Sequence, residues 1–127
     1  MRRKSVFIVD DDLDIREILA ETLSERGFDV ATAANGAEAL RTLRMVRVHP
    51  SVILLDLMMP IMDGYTFLEQ RHLDPALRLI PLAIITAGHD VDRRRLGAAL
   101  PVVPKPFDVP LLVGLIHSLS TEGSDSR

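Results

Sequence analysis

Ser51-Val-Ile-Leu-Leu-Asp56-Leu-Met-Met-Pro60-Ile-Met-Asp63-Gly64 is the stretch that decides the fold. Val52 to Leu55 run straight into a carboxylate, and a Met-Pro turn and an Asp-Gly follow. A short, unbroken apolar run reads as a strand buried on both faces, the usual state of a strand inside a parallel sheet. A buried strand has no use for a terminal Asp unless something cationic or reactive meets it there.

Other strands of the same kind lie to either side. Val6 to Val9 form a β-branched-rich run that ends at Asp10, and Leu82 to Ile85 form one closed by Thr86. Val102-Val103 make a brief strand between Pro101 and Pro104, which restricts it to an edge position. Asp29 to Ala33 alternate weakly, as a strand near an edge would. Helical spacing fills the intervals. Ile15, Ile18, Leu19 and Leu23 share one face, Asp12 or Asp14 caps the front, and Gly27 stands where a helix-ending glycine belongs.

Asn35-Gly36 turns the chain, and Ala39, Leu40 and Leu43 mark a second helix, which Met45 to Pro50 either extend by a turn or leave. Asp63-Gly64 begins a third helix with Phe67, Leu68 and His72 or Leu73 inward, and Asp74-Pro75 ends it. A short polar helix is expected between Asp90 and Ala98. Asp108 caps the last helix, whose inner face is Leu111, Leu112, Leu115 and Ile116. Residues 1–120 thus form one domain, with 121–127 as a polar tail or the start of a linker.

Composition agrees with a single globular domain. Of 127 residues 47% are hydrophobic and 26% charged, and the net charge is −3. No dominant basic stripe exists, which argues against nucleic-acid binding by this domain. The absence of cysteine excludes disulfides, thiolate metal sites and thiol nucleophiles. Met1-Arg-Arg-Lys4 is followed by too short an apolar run for a secretory leader, and no run approaches membrane-spanning length. A cytoplasmic protein is expected.

Five βα units with short connections predict an α/β fold, a parallel sheet with helices on both faces and right-handed crossovers. The functional crevice of such a sheet lies at the carboxyl ends of its strands. Asp10, Asp56, Thr86 and Lys105 each end a strand or stand one residue beyond it. Asp10, Asp11 and Asp56 would repel one another there without a cation, and hard oxygen ligands suit Mg²⁺. Lys105 supplies a compact positive charge suited to a phosphoryl group, and the Thr86 hydroxyl a donor to one.

Val9-Asp10-Asp11, Leu55-Asp56 through Asp63-Gly64, Ile85-Thr86-Ala87 and Lys105-Pro106-Phe107 together resemble the receiver domain of bacterial response regulators. The resemblance runs from Val6 to about Leu119. It implies a flavodoxin-like (βα)5 fold with strand order 2-1-3-4-5, and Asp56 as phosphoacceptor. It also implies a metal site for Mg²⁺, or Mn²⁺ in its place, made by Asp10, Asp11, Asp56 and the carbonyl of Met58. Thr86 matches the switch hydroxyl, with the Ala87 amide beside it. Lys105 matches the phosphoryl-pairing lysine, joined to Pro106 by a bond that is typically cis.

The implied donor is a sensor histidine kinase or a histidine phosphotransfer protein. The implied output is a downstream protein target or a fused effector, with homodimerisation as an option. Two departures stand out. Val102 occupies the place of a Tyr or Phe that rotates with the threonine, and the segment from Thr86 to Lys105 is short, which predicts a reduced fourth helix. Arg93-Arg94-Arg95 there reads as a solvated face or a contact patch.

Competing functions fit less well. A phosphatase with an Asp nucleophile wants a second acid two residues on, where Met58 stands. A flavin binder wants hydroxyls and amides in the first loop, where Asp10-Asp-Asp-Leu-Asp14 repels anions. A non-phosphorylated, degenerate receiver acting as a protein-docking module is the alternative that stays open. It is disfavoured by the intact set Asp10, Asp11, Asp56, Thr86 and Lys105, since like charges without a metal are costly.

Overall fold

A computed structural model describes residues 3–87, 91–96 and 100–124, with side chains described as far as residue 120. The elements alternate throughout: β1 (Ser5–Val9), α1 (Leu13–Glu25), β2 (Asp29–Ala33), α2 (Gly36–Met45), β3 (Val52–Asp56), α3 (Gly64–Leu73), a 3-10 turn (Leu77–Leu79), β4 (Leu82–Thr86), α4 (Arg93–Leu96), β5 (Val102–Pro104) and α5 (Val109–Ser124). All five strands are parallel, in the order β2-β1-β3-β4-β5. This is the flavodoxin-like order expected, with β2 and β5 on the edges.

Side-chain alternation along each strand sorts the core into two layers. Phe7, Val9, Ile53, Leu55 and Ile84 face α2 and α3 and pack with Ala39, Leu43 and Phe67. Val6, Ile8, Leu54, Ala83 and Ile85 face the other way, with Leu19 and Leu23 of α1 and Leu112 and Ile116 of α5. β3 and β4 are buried at every position, which is why neither alternates in sequence.

Caps set the helix ends. Asp12 accepts from the amides of Asp14 and Ile15, Asn35 from Glu38, Asp63 from Thr66 and Asp108 from Leu111. At the end of α1 the Phe28 amide donates to Leu23 O and the Gly27 amide to Ser24 O. That paired pattern needs a left-handed residue, and Gly27 has φ +94°. A Cβ at Gly27 would meet nothing within 4 Å. Gly27→Ala should therefore lower stability only by the backbone term, about 1 kcal/mol, read from the urea midpoint.

Several inward assignments need correction. Ile18 is 64% exposed, because α1 seats the line Ile15, Leu19 and Leu23, and Ile18 lies off its edge. Leu111 is 73% exposed for the same reason, since α5 seats Leu112, Ile116 and Ser120 at intervals of four. His72 and Leu73 both face solvent. Arg71 takes the inward place at the end of α3, donating from Nη2 to Ile80 O at 2.6 Å and Arg78 O at 3.2 Å. It thereby braces the 3-10 turn, an element with no signal in the sequence pattern. Burial lowers the pKa of its guanidinium from the ordinary value.

α2 stops at Met45, where Val46 turns extended. α4 spans four residues inside the expected interval, and Asp90, Gly97 and Ala98 lie outside the described residues. α5 continues to Ser124, into the stretch expected to be an aperiodic tail. Among the described residues, no helix is long and apolar enough to cross a membrane.

Candidate functional site

Parallel pairing brings the polar strand ends to one rim. The register sets Val9 beside Leu55, Asp56 beside Ile85 and Thr86 beside Pro104. Two further backbone bonds extend it: the Asp10 amide donates to Ala33 O at 3.1 Å and the Lys105 amide to Thr86 O at 3.0 Å. Asp10, Asp56, Thr86 and Lys105 are thus placed by the sheet itself.

The side chains converge accordingly. Asp10 is fully buried, Asp56 and Thr86 nearly so, and Asp11 is exposed. One carboxylate oxygen from each of Asp10, Asp11 and Asp56 lies within 4.8 Å of the others. Lys105 Nζ donates to Asp10 Oδ2 at 2.7 Å and stands 3.8 Å from Asp56 Oδ1. The lysine therefore belongs first to Asp10 and only second to Asp56.

Asp10 is held from three sides. Its Oδ1 accepts from the Asp12 amide at 2.9 Å, its Oδ2 from Lys105, and its carbonyl from Arg16 Nη1 at 2.8 Å. Arg16 is a supporting residue that sequence reasoning missed. It sits among polar residues on the outer face of α1, and only the fold shows that its arm reaches back to the rim.

Asp56 is less well satisfied. Its Oδ1 receives the Met58 amide at a long 3.5 Å. Burial foremost, then the Asp10 carboxylate, pushes its pKa up to about 6, while Lys105 and the Met58 amide pull it down and Asp11 adds to the rise. Negative charge at this rim is under-compensated by the protein's own groups. Three carboxylates, two of them buried, form an all-oxygen donor set that fits a hard divalent cation such as Mg²⁺.

The loop that follows Asp56 is pinned at both ends. Leu57 and Met59 are buried, and the Gly64 amide donates to Leu57 O at 2.9 Å. The Gly36 amide donates to Met62 O at 3.1 Å. Between these anchors Met58 and Ile61 point outward, Ile61 at 85% exposed. Ile61 also has φ +69°, a left-handed conformation that a β-branched residue adopts at a penalty. Ile61→Asn should raise stability by about 1 kcal/mol in a urea titration, since it removes strain and no buried contact.

Ala87 follows β4 at the surface, and Pro106 is joined to Lys105 by a cis peptide bond. Val102, in the place of the expected aromatic, is half-buried against the α2/α3 layer. The chain matches the response regulator receiver domain family over residues 6–117. It belongs to that family.

The receiver is 38% identical over 122 residues to the probable transcriptional regulator ycf27 of Cyanophora paradoxa, covering 94% of this chain and 49% of that protein. It is 38% identical over 123 residues to the DNA-binding transcriptional regulator NtrC of Escherichia coli strain K12, covering 92% and 25%. The chain therefore spans half or less of the length of these relatives. Among solved structures it is similar to a response regulator of Chloroflexus aurantiacus, with a TM-score of 0.83, 28% identity and coverage of 94% and 99%. The chemotaxis protein CheY4 of Vibrio cholerae gives a TM-score of 0.81, 28% identity and coverage of 93% and 99%. The chain is a signalling domain of two-component systems.

Proposed function

We propose that this receiver accepts a phosphoryl group on Asp56 from a sensor histidine kinase or a histidine phosphotransfer protein. The observation that carries the reading is the Asp56 carboxylate at the buried end of β3, beside Asp10 and Asp11 and 3.8 Å from the Lys105 ammonium. An Asp56 Oδ–P bond forms as the P–N bond of the phosphohistidine breaks. The imidazole leaves with the electron pair and takes up a proton. Water later attacks phosphorus, releasing inorganic phosphate and restoring the carboxylate.

Mg²⁺, with Mn²⁺ able to take its place, would be held by Asp10, Asp11, Asp56 and the Met58 carbonyl and would neutralise charge on the phosphoryl oxygens. Lys105 contributes the protein's own cation to the same oxygens. The Thr86 hydroxyl and the Ala87 amide lie at the next strand end and serve as donors once the phosphoryl group arrives. The domain, residues 1–120, would pass the change to a protein target or a fused effector, either directly or as a homodimer.

The test is phosphoryl uptake from acetyl phosphate, followed by intact mass with and without Mg²⁺. Uptake that requires Mg²⁺ supports the reading, and no uptake under any condition favours a receiver that only docks. Lys105→Arg should slow uptake by about tenfold although the charge is kept. A planar fork cannot reproduce the single short approach of Nζ to Asp10 while still facing Asp56. Equal rates would remove Lys105 from the chemistry.

A further inference from the structure

Tyr65 is the chain's one tyrosine, and there is no tryptophan. It lies in the first turn of α3, directly after Gly64, and is buried. Its hydroxyl accepts the amide of Asp92 at 2.8 Å, so that α3 holds the residue just before α4. Its ring lies beneath the Arg95 guanidinium, 4.5 Å from the ring centre, and Arg95 also reaches Glu69 of α3 at 3.4 Å. α4 is thus fastened to α3 at both ends of its short span.

The other side of Tyr65 leads to Asp56. A Cβ built on Gly64 would lie 2.5 Å from Asp56 O and 2.7 Å from Leu57 Cα, so the start of α3 rests on the backbone of the acceptor residue. The Asp56–Met58 bond, long at 3.5 Å, is the contact that a group placed on Oδ1 would alter first. Tight packing at Gly64 leaves no slack to absorb a shift of that loop, so it is passed to Tyr65. Val102 on β5 has an aliphatic side chain, with no hydroxyl or ring to make such a bond, and packs against the apolar α2/α3 layer.

We infer that Tyr65 is a positioning residue that couples the state of Asp56 to α4, through its hydrogen bond to Asp92 and its stacking under Arg95. The inference rests on Asp56 as the phosphoryl acceptor. Because Tyr65 itself meets the α4 segment through two discrete contacts, each can be removed by its own substitution.

The experiment uses the full chain with Mg²⁺ and beryllofluoride, a phosphoryl mimic. Fluorine NMR reports binding at Asp56, tyrosine fluorescence reports residue 65 alone, and the amide signals of residues 91–96 report α4. The expected result is bound fluoride together with a change in tyrosine emission and a shift of the Asp92 amide. Tyr65→Phe should bind fluoride as tightly yet lose most of the fluoride-induced shift across residues 91–96. Arg95→Gln should leave the Asp92 response and diminish that of residues 95–96.

Absence of bound fluoride in the unaltered protein would overturn the phosphoacceptor reading and this inference with it. Bound fluoride with silent tyrosine emission and a still Asp92 amide would overturn the inference alone. So would a Tyr65→Phe protein whose free-state spectrum moves but whose fluoride-induced shifts are undiminished, since the hydroxyl would then be structural only.

Discussion

Asp56→Asn is expected to lose phosphoryl uptake from acetyl phosphate completely while gaining stability in metal-free buffer. The loss follows from chemistry: a neutral amide oxygen is a poor nucleophile towards phosphorus, and the change removes one of the three carboxylates of the proposed metal site. Intact mass after incubation with Mg²⁺ reads it directly. Label that survives the substitution at full stoichiometry would move the acceptor to another residue.

The gain follows from electrostatics. Asp56 has a folded-state pKa of about 6 against an ordinary value of 3.8. Between these values the folded chain binds more protons than the unfolded chain, so its stability falls as pH rises through that window. Below about pH 4 the two proteins should be alike. Above about pH 6 the Asn variant should lead by about 1–2 kcal/mol, after allowance for solvent screening at the partly open rim. Saturating Mg²⁺ should narrow or reverse the gap, because a folded set of three carboxylates gains more from the cation than the two that the variant keeps. Urea midpoints at pH 4 and pH 7, with EDTA and with Mg²⁺, give the whole pattern, and parallel curves at both pH values would contradict it.

Gly64→Ala should be the most destabilising conservative change in the loop region, at about 2–4 kcal/mol. Helix propensity alone predicts the opposite sign, since Ala at the start of α3 favours the helix by up to about 1 kcal/mol over Gly. Packing decides. The added methyl would meet Asp56 O at 2.5 Å, Leu57 Cα at 2.7 Å and Leu57 Cδ2 at 3.0 Å. The first two are backbone, and Asp56 belongs to a strand buried at every position, so neither retreats without moving the sheet.

Phosphoryl uptake should fall together with stability, because the Gly64–Leu57 bond that anchors the loop after Asp56 is lengthened. A urea midpoint no lower than that of Gly27→Ala, where a Cβ meets open space, would show that the approach at Gly64 is not limiting.

Much of the site was legible in the chain because its logic is local. A continuous apolar run that ends in a polar residue describes a buried strand and its rim together, so Asp10, Asp56, Thr86 and Lys105 announce their positions through their neighbours. Helix caps are equally local: Asp12, Asp63 and Asp108 bind amides two or three residues away. Helix faces were less legible. Ile18 and Leu111 fit an apolar stripe on their own helices, yet the sheet accepts a narrower line of residues four apart. Nothing in the chain marks Arg16 or Tyr65, whose partners are six and twenty-seven residues away.

By itself, then, the sequence determined the five-strand parallel sheet, the rim and the residues at it, because burial and capping are written in adjacent residues. Only the tertiary structure decided how those residues are charged and connected. It set Lys105 against Asp10 rather than Asp56, left Asp56 with a pKa near 6, and joined α3 to α4 through Tyr65. Those are properties of distances between distant segments, and distances between distant segments exist only once the chain has packed.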